Sequence, residues 1–222
     1  MSSTTLYRWS GISLLIGSLV GILGSILDAV LYPNNASPQQ ALSTSFIIDA
    51  TLFLAWALLV AMGLPGLYLR QATRAGVQGF AGFVLLLLGV LLGGVAFASA
   101  QITFFPYLAQ SAPKLYPSGG VGPTFGLLLF IIGPALLIAI GDILLGIATM
   151  RAHVFPRWAG ILFIVAGVLF LASIPVPAAS LTLASNVVFF VALAWSGSQL
   201  LRREQETTAV PSLATPVAQT NR

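Results

Sequence analysis

The chain has 222 residues, of which 58% are hydrophobic and only 6% are charged, whereas soluble domains average about 45–50% apolar and about 25% charged residues. Nine Lys and Arg residues against five Asp and Glu residues give a formal net charge of +4. This composition is typical of multi-pass membrane proteins and excludes an ordinary soluble domain.

Missing residue types exclude several membrane chemistries. The chain has no cysteine, so it has no disulfide exchange, thiolate metal site or iron–sulfur cluster. The single histidine, His153, and the single lysine, Lys114, fall in predicted loops, which excludes a bis-histidine haem and a retinal Schiff base. The basic residues form no patch with aromatic residues, so nucleic acid is not an expected partner. We expect no cofactor and no metal.

Six apolar runs are long enough to cross a bilayer. A hydrocarbon core about 30 Å thick needs about 20 apolar residues in a helix, and open strands would leave backbone groups unpaired in lipid. The predicted fold is therefore an all-α bundle of six transmembrane helices in residues 1–201, and the polar residues 202–222 are predicted to form a disordered cytoplasmic tail. The predicted spans are 9–31, 46–69, 80–104, 124–150, 158–174 and 178–201.

Prolines mark irregular points in the predicted helices. Pro134 is predicted to kink the fourth span, because proline removes a helical hydrogen bond. Pro65 and Gly66 are predicted to fray the end of the second span. The short connection 174–177 predicts that the last two helices are antiparallel neighbours.

The arginines predict the orientation of the bundle. All those that flank the six spans fall on one side, and the opposite loops contain only Lys114. The positive-inside rule therefore predicts a multi-pass protein of the cytoplasmic membrane with both termini in the cytoplasm. Aromatic residues near the span ends predict interfacial belts. They are Tyr7, Trp9, Tyr68 and Trp158 on the inner side and Tyr32, Phe105, Tyr107 and Tyr116 on the outer side.

A short motif recurs at the starts of inside-to-outside helices. Residues 8–12 (RWSGI) return as residues 157–161 (RWAGI), with a fainter echo, FAG, at 80–82. The repeat suggests three helical hairpins related by parallel duplication. The alternative interpretation is that arginine and an aromatic residue anchor any helix start at the inner surface.

Small residues at intervals of four predict packing faces, because they let helix backbones approach closely. The first span carries such a stripe, and the third has a shorter one. These stripes suit packing within one chain or a homodimer seam, and the motif does not choose between them. The predicted packing residues are Gly17, Gly21, Gly24, Gly89 and Gly93.

Three aspartates are the only charged residues inside the spans. From the rise of 1.5 Å per residue, Asp28 and Asp49 fall in the outer half at about the depth of Gln101, with Asn186 slightly deeper, while Asp142 falls in the inner half. We expect Asp28 and Asp49 to face each other in a proton or cation site, as in secondary transporters. The alternative is a structural role, in which each aspartate hydrogen-bonds to a neighbouring helix or meets the headgroups.

Two segments approach the motifs of intramembrane proteases, but neither matches a complete motif. The sequence AIGD at 139–142 and the PAL triplet at 134–136 approach motifs of intramembrane aspartyl proteases, but the first glycine is missing and the triplet lies on the same helix. No histidine lies in a span to activate Ser196. We therefore expect no catalytic residues and no enzyme activity.

The opening YRWSG at 7–11, the short glycine-rich spans and FPRWAG at 155–160 together resemble uncharacterised six-helix integral membrane proteins of bacteria. The resemblance extends over residues 7–201 and implies no functional motif. The expected function is a non-enzymatic membrane scaffold, accessory or sensing protein whose partners are the lipid bilayer and a second copy or another membrane protein. The alternative is a small proton- or cation-coupled transporter or channel.

Overall fold

The structure is a computed structural model that describes residues 3–33, 36–116, 125–174 and 179–209, with side chains described over 5–33, 36–116, 130–174 and 179–202. Every regular element within these ranges is helical, which confirms the predicted all-α class.

A sharp turn at Gly76 separates two antiparallel helices. Helical hydrogen bonding runs through Thr44–Gly89, but Gly76 has φ +60° and ψ −165°. The rings of Tyr68 and Phe83 are stacked with centroids 4.7 Å apart, whereas 15 residues of straight helix would separate them by about 22 Å. Residues 44–75 and 77–111 are therefore two arms of a hairpin, the second with a π-helical turn at Val90–Ala96.

Six long helices result, joined at one end by short helical turns at Pro38–Ala41 and Pro113–Leu115. They are α1 (Ser3–Leu31), α2 (44–75), α3 (77–111), α4 (Phe125–Ala152), α5 (Arg157–Ser173) and α6 (Ala179–Ala209).

The helices form a closed ring in which each packs against its two neighbours along the chain and α6 returns to α1. Glycines mark most of the close approaches, because a Cβ atom there would meet the adjacent helix within van der Waals distance. Representative contacts around the ring are Gly17 with Leu59, Gly94 with Ala57, Gly82 with Leu145, Gly146 with Gly160, and Gly11 with Gly197. Between α5 and α6, the Ser185 hydroxyl donates to the Ala166 carbonyl at 3.1 Å.

One apolar core fills the centre of the ring, and all six helices contribute to it. Phe163 of α5 and Phe190 of α6 are the largest side chains that are fully enclosed. The indole of Trp56 meets the Phe190 ring edge-on, with centroids 5.2 Å apart. Such aromatic pairs contribute about 0.5–1.5 kcal/mol beyond the area they bury.

Apolar stretches that could cross a membrane, by length and composition, number four in the described residues. One of them, Thr44–Ser111, contains both arms of the Gly76 hairpin. α5 is shorter at 17 residues, which is about 26 Å of helix against a hydrocarbon core of about 30 Å.

Both ends of the described chain lie at the same end of the ring, which we call the basic end. Arg70 lies over the ring of Tyr7 at 5.3 Å, and Arg151 donates to the Gln78 side chain at 2.7 Å. The opposite end carries Asp28 and Asp49, and we call it the acidic end.

Two predicted helix ends differ from the structure. α2 continues through Pro65 and Gly66 to the turn at Gly76, because Gly66 lies against Ser10 of α1 and this contact holds the segment in the bundle. α6 continues to Ala209, into the segment predicted to be disordered, since Arg, Glu and Gln are strong helix formers. Residues 210–222 lie outside the described part of the chain.

The predicted outer aromatic belt is wrong for three of its four members. Tyr32, Phe105 and Tyr116 are buried together in a second apolar cluster at the acidic end, and only Tyr107 is exposed. The rings of Phe105 and Tyr116 meet edge-on within this cluster, with centroids 5.8 Å apart, instead of facing lipid.

Candidate functional site

A groove lies between α1 and α6 at the acidic end. The two helices touch at Gly21, where a Cβ atom would meet the Phe190 ring. From this contact they separate, and a cavity of about 140 Å³ opens between them. The walls carry residues spaced three or four apart: Ser25 and Asp28 on α1 with Tyr32 just beyond its end, and Thr182 and Asn186 on α6.

The negative charge of the groove lining has no neighbouring basic side chain among the described lining residues. Asp28 is the only charged side chain among the described residues that line the groove, and the others are polar or apolar. The Tyr32 hydroxyl donates to Ser45 Oγ at 3.1 Å, which holds the tyrosine ring against the groove. The structure thus brings together Asp28 and Asn186 of the predicted outer cluster.

Asp49 and Gln101 form a separate part of that cluster. The contact of Gly94 with Ala57 sets an antiparallel register that places Asp49 of α2 level with Gln101 of α3. Asp49 is buried, and both Asp49 Oδ1 and Gln101 Oε1 have no hydrogen-bond partner in the described residues.

Asp28 and Asp49 were expected to face each other, and they lie on the adjacent helices α1 and α2. Asp28 lies near enough for its charge to act on Asp49, but Asp49 does not line the groove. Asp28 lines an open groove, and Asp49 is only 4% exposed. Asp28 and Asn186 therefore line the groove, and Asp49 and Gln101 lie outside its lining.

Asp142 lies elsewhere, in the half of the bundle toward the basic end. Asp142 is 1% exposed. It packs against α5, where a Cβ atom added to Gly167 would lie 3.2 Å from the Cβ of Asp142. Its Oδ1 has no partner among the described residues. The structure separates Asp142 from the groove.

Sequence reasoning missed two buried polar side chains that lack a hydrogen-bond partner among the described residues. Gln71 is fully buried with neither its amide nitrogen nor its oxygen hydrogen-bonded to a described residue, and the hydroxyl of Thr149 is also unpartnered. Gln71 follows Arg70, a pattern typical of a helix end in the headgroup region. Gln71 lies four residues after Leu67 and therefore on the same face of α2, and this spacing could have indicated that Gln71 points into the core.

The five predicted packing glycines all lie against helices of the same chain. Gly17 and Gly24 face α2, Gly21 faces α6, and Gly89 and Gly93 face α4. The stripe on α1 is therefore divided between two neighbouring helices.

The chemistry available at these sites is binding of a cation or a hydrogen-bond donor. The described residues contain no group of three His, Asp or Glu side chains that could hold a metal ion.

The serine and the histidine considered from the sequence, Ser196 and His153, lie outside the groove lining. The Ser196 hydroxyl is buried and donates to the Ala192 carbonyl at 2.8 Å. The ring of His153 lies in the turn at the basic end, where Nδ1 contacts the Arg151 carbonyl oxygen at 2.7 Å.

Comparisons of the chain with protein-family models, with curated proteins and with solved structures gave no significant match.

Proposed function

We propose that the protein is a non-enzymatic, multi-pass protein of a bacterial cytoplasmic membrane, with six membrane-spanning helices and both termini in the cytoplasm. In this proposal it serves as a scaffold, accessory or sensing protein that acts through its helix surfaces on lipid and on partner membrane proteins. The membrane and orientation rest on the sequence resemblance and on the positions of the arginines, which lie at the basic end.

The observation that carries the proposal is the closed centre of the ring. Leu14, Leu64, Phe163 and Phe190 are all nearly or fully inaccessible, and they belong to one continuous apolar cluster. Interiors packed in this way contain few voids large enough for water. Among the described residues, the groove at the acidic end stops at the contact of Gly21 with Phe190, which supports a closed centre over a pore.

Large apolar side chains face outward from several helices. Leu19 and Leu23 of α1 are 62% and 63% exposed, and Met62 of α2 is 68% exposed. In a membrane these faces meet lipid or another helix, which supports action through the helix surfaces.

A flux measurement tests this proposal against transport, the second candidate, which the proximity of Asp28 to Asp49 favours. The full chain is reconstituted into liposomes with a pH-sensitive dye, and proton and cation uptake are followed under an imposed gradient. We expect uptake equal to that of empty liposomes. Uptake that Asp28→Asn or Asp49→Asn abolishes would overturn the scaffold proposal and establish the transporter.

Topology is tested with single cysteines, since the chain has none of its own. We expect a membrane-impermeant maleimide to label Lys114→Cys in intact cells and Arg74→Cys only after permeabilisation. Both sites lie outside the packed core. Labelling of Arg74→Cys in intact cells would contradict cytoplasmic termini.

A further inference from the structure

We propose that the groove between α1 and α6 binds an ammonium group, carried either by a small organic amine or by the amine headgroup of a lipid. The inference concerns binding alone and goes beyond the proposed function, because it holds whether or not the helix surfaces bind a partner.

The shape of the groove is built into the packing of the two helices. Because Gly21 has no side chain, the backbone of α1 packs directly against the Phe190 ring. The Phe190 ring in turn packs edge-on against the indole of Trp56. Beyond this floor the helices diverge, and the cavity of about 140 Å³ begins. One water molecule takes about 30 Å³ in the liquid, so the space accommodates an ethylammonium-sized group.

The charge of the groove points to a cation. Among the described residues that line it, Asp28 is the only carboxylic acid, and none is a Lys or an Arg. Asn186 faces the same cavity from α6 and offers an amide oxygen as a second acceptor. A carboxylate in such a place is stabilised when a cation binds to it, since charge-assisted hydrogen bonds are about twice as strong as neutral ones.

The number of ligands favours ammonium over a metal ion. Calcium takes six to eight oxygen ligands, and magnesium demands near-octahedral coordination. The described lining has one carboxylate, Asp28, and otherwise only neutral amide and hydroxyl oxygens, which suit the few N–H donors of an ammonium group. Ala29 and Leu183 add apolar surface to the cavity, against which the methylene groups of an alkylamine can pack.

The position of the groove makes both sources of the amine accessible. Asp28 lies within one turn of the end of α1 at Leu31. In the orientation proposed above, this end reaches the outer headgroup layer, where lipid amines and dissolved amines are both present.

The test uses the full chain purified in a zwitterionic phosphocholine detergent and measures binding by calorimetry. The probes are ethanolamine hydrochloride, short-chain phosphatidylethanolamine, and two controls: N-acetylethanolamine, which is neutral, and short-chain phosphatidylglycerol, which has no amine. We expect binding of ethanolamine, of phosphatidylethanolamine, or of both, and of neither control. The amine that binds identifies the source, and binding of neither amine overturns the proposal.

Three variants keep the result specific to the groove. Asp28→Asn preserves the side-chain shape and should weaken amine binding about tenfold or more, as expected for the loss of a charge-assisted hydrogen bond. Asp142→Asn makes the same change at a carboxyl in the other half of the bundle, away from the groove, and should change binding less than about threefold. Ala29→Leu leaves both carboxyls intact, fills the cavity and should also abolish binding. Equal affinities in Asp28→Asn, Ala29→Leu and the wild type would overturn the proposal.

Discussion

The ring of Phe190 occupies the space that a side chain at position 21 would need. Phe190 is 2% exposed and packs against Trp56, so it has no free direction in which to move. This contact joins α6 to α1, closes the ring and forms the floor of the groove.

A matched pair of substitutions tests the importance of this contact. Gly21→Ala should lower the free energy of unfolding by about 1–3 kcal/mol, the usual cost of overpacking. Gly24→Ala makes the same change one turn along α1, where the nearest atom is Leu52 Cβ at 3.6 Å, and should be neutral or stabilise by up to about 1 kcal/mol through helix propensity. Thermal unfolding in detergent measures both variants. Equal losses would show that the fit of Phe190 against Gly21 is not what limits the packing.

The helical class could be predicted from the sequence because the length and hydrophobicity of each run depend only on local composition. The sequence could not predict which neighbouring helix each helix face packs against. Gly17 and Gly21 share one i, i+4 stripe, but their Cβ positions face α2 and α6 respectively. A rotation of about 40° between residues four apart is enough to direct them to different neighbours, and spacing alone does not contain that information.

Two residues of the candidate site, Asp28 and Asn186, could be predicted from the sequence, but the arrangement of the groove could not. Depth along a helix follows from the rise per residue, which correctly places Asp28 and Asn186 within reach of one cavity. The groove itself depends on the divergence of two helices beyond one contact. Similarly, Tyr32 and Tyr116 have the residue type of an interfacial belt, but their burial follows from the path of the loops.

The hairpin at Gly76 provides the second prediction. Its φ of +60° with ψ of −165° lies in a region that side-chain-bearing residues enter at a cost of about 1–3 kcal/mol. A Cβ atom there would meet nothing within 4 Å, so the cost is conformational and not steric. Gly76→Ala should therefore lower the melting temperature, whereas Val77→Ala, at a residue 85% exposed, should not. An unchanged melting temperature for Gly76→Ala would mean that the turn adopts another conformation.

The third prediction concerns alkaline pH. Burial and, secondarily, the neighbouring Tyr32 raise the pKa of Tyr116 above its usual value of 10.0. Because this pKa is higher in the folded state than in the unfolded state, the neutral phenol contributes stability below about pH 10, and that stability is lost as the pH rises toward the folded-state pKa. Tyr116→Phe keeps the ring contact with Phe105 and removes the titration.

Melting temperatures of the wild type and of Tyr116→Phe, measured from about pH 8 to about pH 11, check this prediction. We expect the wild type to lose more stability than the variant over the alkaline part of that range. Tyr107→Phe is the control, because Tyr107 is exposed. Parallel curves for wild type and Tyr116→Phe would show that Tyr116 titrates alike in the folded and unfolded chain.

The last prediction concerns Gln71. Its amide is fully buried and unpaired within the described residues, and an unsatisfied buried polar group costs about 1–3 kcal/mol. Met has a similar length and a similar helix propensity but no amide to desolvate, so Gln71→Met should raise the melting temperature. Gln78→Met is the matched control: Gln78 accepts a hydrogen bond from Arg151 at 2.7 Å, so the same change there should be neutral or slightly destabilising. If Gln71→Met instead lowers the melting temperature while Gln78→Met does not, an internal water or ion must pair with the Gln71 amide, and the basic half of the core is hydrated.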